Sequence, residues 1–241
     1  MTAALDQLGR CLSLEGVPSA LAAARDGVDV LLRDRGIRRT TPELTTKSLL
    51  LGAAASTRLE GVATSAEEPR AGRDDPVTAG ALRLYAELLA LVPVVARSPL
   101  QALARMHTLV AGGLVPPDAL GRPRLDEAVA ARLQGLSASL VQPTKAPALA
   151  VAALAHAEIS TLQPFAAGSD LVARALERLV LVGRGVDPAS LLVPEAAHES
   201  RRDEYRMALS AYATGTAAGC RSWMLYSASA TGDAVAASPL R

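Results

Sequence analysis

The segment from Leu154 to Pro188, LAHAEISTLQPFAAGSDLVARALERLVLVGRGVDP, constrains the fold more than any other part of the chain. On its first side His156, Ile159 and Leu162 recur at the spacing that stacks side chains along one helix face. Pro164 then interrupts, and a short Gly-containing loop follows. Beyond it Leu171, Val172, Ala175, Leu176, Leu179, Val180 and Val182 leave polar groups only on a narrow strip, Arg174, Glu177 and Arg178. A helix apolar on most sides is buried on most sides. The segment therefore predicts a helix, a tight loop and a second helix at the centre of the core.

The rest of the chain carries the same pattern. An N-cap residue followed by proline at the first helical position occurs at Thr41-Pro42, Asp75-Pro76, Ser98-Pro99 and Asp187-Pro188, and each is expected to start a helix. Helices are predicted over Ser19 to Asp34, Pro42 to Arg58 with Gly61 as its stop, Pro76 to Arg97 broken near Pro93, and Pro99 to Ala111. Another runs from Leu125 to Leu140, with Leu125, Val129, Leu133, Leu136 and Leu140 as its buried stripe. The last, Ser200 to Ala218, turns Tyr205, Leu209 and Tyr212 inward and precedes a turn bearing Trp223. The stretch 62–75 reads as a loop, and the tail from Ser227 as fraying. The fold class is all-α.

Composition excludes several functions. The chain has 241 residues, half of them hydrophobic, and a net charge of +1. That suffices for one domain with a substantial core, and it lacks the basic surface that nucleic acid or an anionic membrane requires. No secretory signal opens the chain, no apolar run reaches bilayer length, and Cys11 and Cys220 read as free structural thiols. A cytoplasmic protein is expected. No P-loop, dinucleotide fingerprint or Cys/His metal spacing is found, so no metal site is expected. His107, beside Leu103, Met106 and Val110, reads as a core or rim histidine, and His198 as a surface residue.

The loop carries a family resemblance. Gln163-Pro164-Phe165-Ala166-Ala167-Gly168-Ser169-Asp170-Leu171-x-x-Arg174 resembles the signature of the Fic (filamentation induced by cAMP) family, HPFx(D/E)GN(G/K)RxxR, set between two helices. Pro164, Phe165, Gly168 and Arg174 keep the pattern; Gln163, Ala167, Ser169, Asp170 and Leu171 depart from it. Upstream, Ser56-Thr57-Arg58-Leu59-Glu60-Gly61 resembles the family's inhibitory helix motif, (S/T)xxxE(G/N). The resemblance implies a Fic-like helical bundle, with a small flap or hairpin at about 113–124 that ends near Gly121 and Arg124.

In active members, the resemblance implies, the first signature residue is a His acting as general base, the acidic residue holds the metal, and the Asn and first Arg bind nucleotide phosphates. Gln163 cannot take a proton near neutral pH, and Ala167 offers no carboxylate to magnesium. Gly168, Ser169, Asp170 and Arg174 then form a vestigial nucleotide-binding loop, with Ser169 and Asp170 expected to cap the helix start. Ser56, Glu60 and Gly61 form the inhibitory-type motif, with Glu60 expected to pair with Arg174 in preference to Asp170. The chain divides on this reading into N-terminal helices (1–95), a Fic-like core (96–226) and a tail (227–241). It reads as a catalytically degenerate member with no cofactor and no catalytic residue assigned, acting as an interaction or regulatory module for a protein partner, with a homodimer left open. The alternative is an atypical transferase that moves AMP or another phosphate-containing group to protein hydroxyls, using ATP and magnesium.

Overall fold

The computed structural model describes residues 3–33, 40–64 and 75–240. Among them are twelve α-helices: α1 (Ala3–Leu12), α2 (Val17–Leu31), α3 (Pro42–Leu59), α4 (Pro76–Glu87), α5 (Val92–Arg97), α6 (Pro99–Ala111), α7 (Glu127–Val141), α8 (Ala148–Leu162), α9 (Ser169–Gly183), α10 (Pro194–Ser200), α11 (Arg202–Ala213) and α12 (Ala217–Ala236). No strand occurs among the described residues. The fold is all-α.

The Pro-containing starts show what a cap does and what it cannot force. Thr41 accepts from the Leu44 N–H and Asp75 from the Thr78 N–H, so two of the donors a helix start leaves open are satisfied. Pro99 opens α6 without a side-chain cap. Asp187-Pro188, in contrast, starts no helix. The Asp187 carboxylate is buried and accepts from the Leu192 N–H at 2.7 Å, which holds an irregular loop in place, and the next helix begins only at Pro194. The short helix α10 was not foreseen. Within 76–97 the chain passes through a 3-10 turn, Leu88–Leu91, before Pro93 in the first turn of α5. This stretch is long and apolar enough to cross a membrane by length and composition, contrary to expectation, yet it buries Ala81, Leu84, Tyr85, Leu88, Leu91 and Val95 in the core.

α8 and α9 are the central pair, and α8 is buried from Leu149 to Ser160. α9 contacts α3, α4, α5, α6 and α10; α8 contacts α1, α2, α7, α11 and α12. Burying a side chain such as Ile159 or Leu176 in this centre contributes roughly 1.5–3 kcal/mol. Three further expectations change. Leu125 is fully exposed, because α7 starts only after its cap, Asp126, and the buried stripe is Val129, Leu133, Leu136 and Leu140. Residues from Ser227 do not fray but continue α12, burying Ala228, Ala230, Ala234 and Val235. Trp223 lies inside that helix, fully buried, its indole N–H donating to the Ala153 carbonyl at 2.8 Å. Its position was not legible because alanine and serine face the core here, and they carry little hydrophobic signal.

Cys11 and Cys220 are not free thiols. They form a disulfide between α1 and α12, with Cα atoms 5.9 Å apart. Their separation along the chain hid the pairing, because only the packing of α1 on α12 brings them together. The expected loop at 62–75 lies largely outside the described residues.

Candidate functional site

The loop between α8 and α9 is built by two left-handed residues. Gln163 ends α8 with φ 46°, and Gly168 precedes α9 with φ 76°. A left-handed backbone is routine for glycine and costly for a residue with a Cβ. In that geometry the Gln163 amide donates to the Ser160 carbonyl at 2.8 Å and to the Asp170 carboxylate at 3.0 Å. Gln163 thereby bridges the end of α8 to the start of α9, and neither contact gives it a titratable proton.

The caps differ from expectation. Ser169 does not cap α9: its hydroxyl accepts from the Phe165 N–H at 3.1 Å, closing the loop on itself. Asp170 binds Gln163, and Gly168 has no side chain to offer. The first N–H groups of α9 therefore carry no side-chain cap. Burial of Ser169 inside the loop aims its oxygen backwards, which sequence preference alone cannot foresee.

His107 braces the loop from α6. Its ring stacks on Phe165 with centroids 4.1 Å apart, its Nε2 donates to the Ala167 carbonyl at 3.2 Å, and its Nδ1 accepts from the Gly121 N–H at 2.9 Å. Burial pushes its pKa down, and the Ala167 contact only partly offsets this. Protonating Nδ1 would also set two donors against each other. Arg124 completes the frame, donating to the carbonyls of Leu162 and Gln163, while its own N–H donates to Pro164 O at 2.8 Å. The segment 113–124 forms no hairpin. It holds a single 3-10 turn, Pro117–Ala119, since the consecutive prolines supply no N–H for a ladder.

A second polar centre lies deeper on α9. Arg174, almost fully buried, donates to the Glu60 carboxylate at 2.5 Å and to the Ser56 hydroxyl at 2.7 Å. Ser56, Glu60 and Arg174 are thus brought together from α3 and α9, whereas Asp170 does not pair with Arg174. Gly61, φ 89°, follows Glu60 at the end of α3. One turn further, Arg178 makes a two-pronged contact with Glu195 of α10, at 2.9 and 2.5 Å, and also donates to Ser48 and Ser190. The Tyr85 hydroxyl donates to the same Glu195.

The residue least legible in the sequence is His198. It is buried, not exposed, and with His156 it converges on Glu177. Burial alone would raise the Glu177 carboxyl's pKa, but the imidazoles of His198 and His156 outweigh it and hold that carboxyl well below the usual range. No local spacing links 156, 177 and 198, because they come from three helices.

With this geometry in view, solved structures give the class. A Fic family protein from Desulfovibrio desulfuricans G20 superposes with TM-score 0.73 at 21% identity, covering 93% of this chain and 74% of that one. A fragment of Fic-1 from C. elegans gives TM-score 0.69 at 19% identity, covering 91% and 71%. A glutamate-to-glycine variant of that fragment gives 0.71 at 18%, covering 91% and 70%. No protein-family model and no curated protein matches the chain. The chain has a Fic-like fold.

Proposed function

We propose that this chain is a Fic-fold protein without adenylyl-transfer activity, working as an interaction or regulatory module for a protein partner. The observation that carries the reading is Gln163. At the position where the family resemblance implies the general base, its amide is held between Ser160 and Asp170 and has no proton to exchange near neutral pH. Losing a general base typically costs about two to four orders of magnitude in rate.

The residues present do not fit a magnesium nucleotide. Ala167 contributes only a carbonyl, which already accepts from His107, and the carboxylate of Asp170 stands at the helix start where phosphate would lie. Like charges about 4 Å apart repel by roughly 1 kcal/mol even in water. No cofactor is therefore assigned. One feature favours the alternative, an atypical transferase: the start of α9 has no side-chain cap, and open N–H groups at a helix start favour anions.

On this reading the Glu60–Arg174 pair fixes α3 to the core and gates no reaction. Glu60→Gly should lower stability by about 1.5–3 kcal/mol, the range for hydrogen bonds to charged groups, and should leave transfer from labelled ATP with magnesium at the level of a Gln163→Ala control. Transfer above that control, by wild type or by Glu60→Gly, overturns the proposal in favour of the transferase. A cytoplasmic setting belongs to the same proposal and meets a counter-indication in the Cys11–Cys220 disulfide, since such bonds persist mainly in oxidising compartments. Alkylation mapping of freshly isolated protein decides the compartment question.

A further inference from the structure

Glu177 is a carboxylate inside the protein with no Lys or Arg ion pair among the described residues. Its neighbours on α9 are engaged elsewhere, Arg174 by Glu60 and Arg178 by Glu195. Its ion-pair partners among the described residues are two imidazoles, His156 of α8 and His198 of α10. His156 Nδ1 lies 2.5 Å and His198 Nε2 2.9 Å from the same oxygen, Oε2. The ligand-capable atoms of the three residues all lie within 4.8 Å of one another. A buried carboxylate requires a compensating positive charge.

A cavity of about 20 Å³ adjoins this cluster, with Glu177, His198, Ser227 and Thr231 among its lining. That is room for one water. The Ser227 hydroxyl, buried, has no hydrogen-bond partner among the described residues. The far nitrogens of both rings are also occupied: His156 Nε2 lies 2.8 Å from the Tyr205 hydroxyl, and His198 Nδ1 2.9 Å from that of Tyr226. Such outer contacts fix ring orientation and tautomer in metal sites.

We propose that His156, Glu177 and His198 bind one first-row transition metal ion, zinc fitting two imidazoles and a carboxylate best, with a water from the adjoining cavity as fourth ligand. Tetrahedral bonds of about 2.0–2.1 Å place ligand atoms about 3.4 Å apart. The ring nitrogens and Oε2 would separate by about half to one ångström, with the adjoining cavity giving room beside Glu177 and His198. With the ion on His156 Nδ1 and His198 Nε2, the remaining N–H of each ring donates to Tyr205 and Tyr226. Both imidazoles then bind as neutral ligands, and the ion's charge faces Glu177 directly. Because the cluster is buried and joins α8, α9 and α10, the ion's role is structural. The inference is independent of the transferase question.

The test uses the untagged full chain. Denatured in chelator and refolded with Zn²⁺, it should retain near one ion per chain by elemental analysis after dialysis, and its midpoint should rise with added Zn²⁺ but not with Mg²⁺. Refolding with Co²⁺ should give the visible bands of a tetrahedral site. Glu177→Gln and His198→Asn should lose the ion. Should either variant fail to fold, the wild-type cobalt spectrum and stoichiometry decide alone. Wild type that refolds without holding zinc or cobalt overturns the proposal, as does a nitrogen NMR spectrum with Zn²⁺ present in which both rings still carry the protons facing Glu177.

Discussion

The start and the interior of α9 behave differently. At its start, Gln163 and Asp170 make one exposed contact with each other, and Ser169 closes a local loop. In its interior, Arg174, Glu177 and Arg178 are buried and reach residues from other helices, Ser56, Glu60, His156, Glu195 and His198. The exposed polar groups exchange one hydrogen bond for another with water at little cost. The interior ones have no water to fall back on, so each partner removed leaves a buried charge unmet. The residues of the signature loop stand at the exposed start of α9, and the polar groups that tie α9 to other helices lie further in.

The largest test of that contrast is Arg178→Ala, which strands Glu195 in the core. It should destabilise by about 3–5 kcal/mol in chemical denaturation, whereas Gln163→Ala at the loop should stay within about 0.5 kcal/mol. Equal losses at the two sites would erase the distinction. Next in size is the disulfide. A Cys11→Ser, Cys220→Ser double variant should lose about 2–4 kcal/mol, measured against wild type under non-reducing conditions, with little change if the thiols are already reduced.

A smaller effect separates the loop's brace from the loop itself. His107 has its pKa lowered on folding, so the unfolded chain binds the proton first as pH falls. Its contribution is full above about pH 6.5 and declines below it, at no more than about 1.4 kcal/mol per pH unit. Denaturation midpoints between pH 7 and 5 should fall less steeply for His107→Gln; parallel curves would show that the histidine does not titrate there. The last change expected is a gain. Gln163→Gly removes the left-handed strain, about 1–2 kcal/mol, against the loss of the amide's two hydrogen bonds to Ser160 and Asp170, and should stabilise by no more than about 1 kcal/mol. A loss of stability would mean that the Gln163 bridge to Asp170 outweighs that strain.

Periodicity and punctuation alone determined much of this protein. The apolar surround of Leu171 to Val182 predicted the core helix, because a helix cannot expose so wide an apolar face. Pro42, Pro76 and Pro99 marked helix starts because their missing N–H groups cost nothing there. Tertiary structure decided what the polar residues do. Asp187-Pro188 carries the same local signal as Asp75-Pro76, yet its carboxylate is captured by Leu192 and no helix follows. His198 reads as a surface residue until α8, α9 and α10 bring it and His156 to one oxygen of Glu177, and Cys11 meets Cys220 only because α1 packs on α12. Local signals act within a turn or two of chain. Pairing across 21 or 209 positions is set by packing, which no single stretch of sequence encodes.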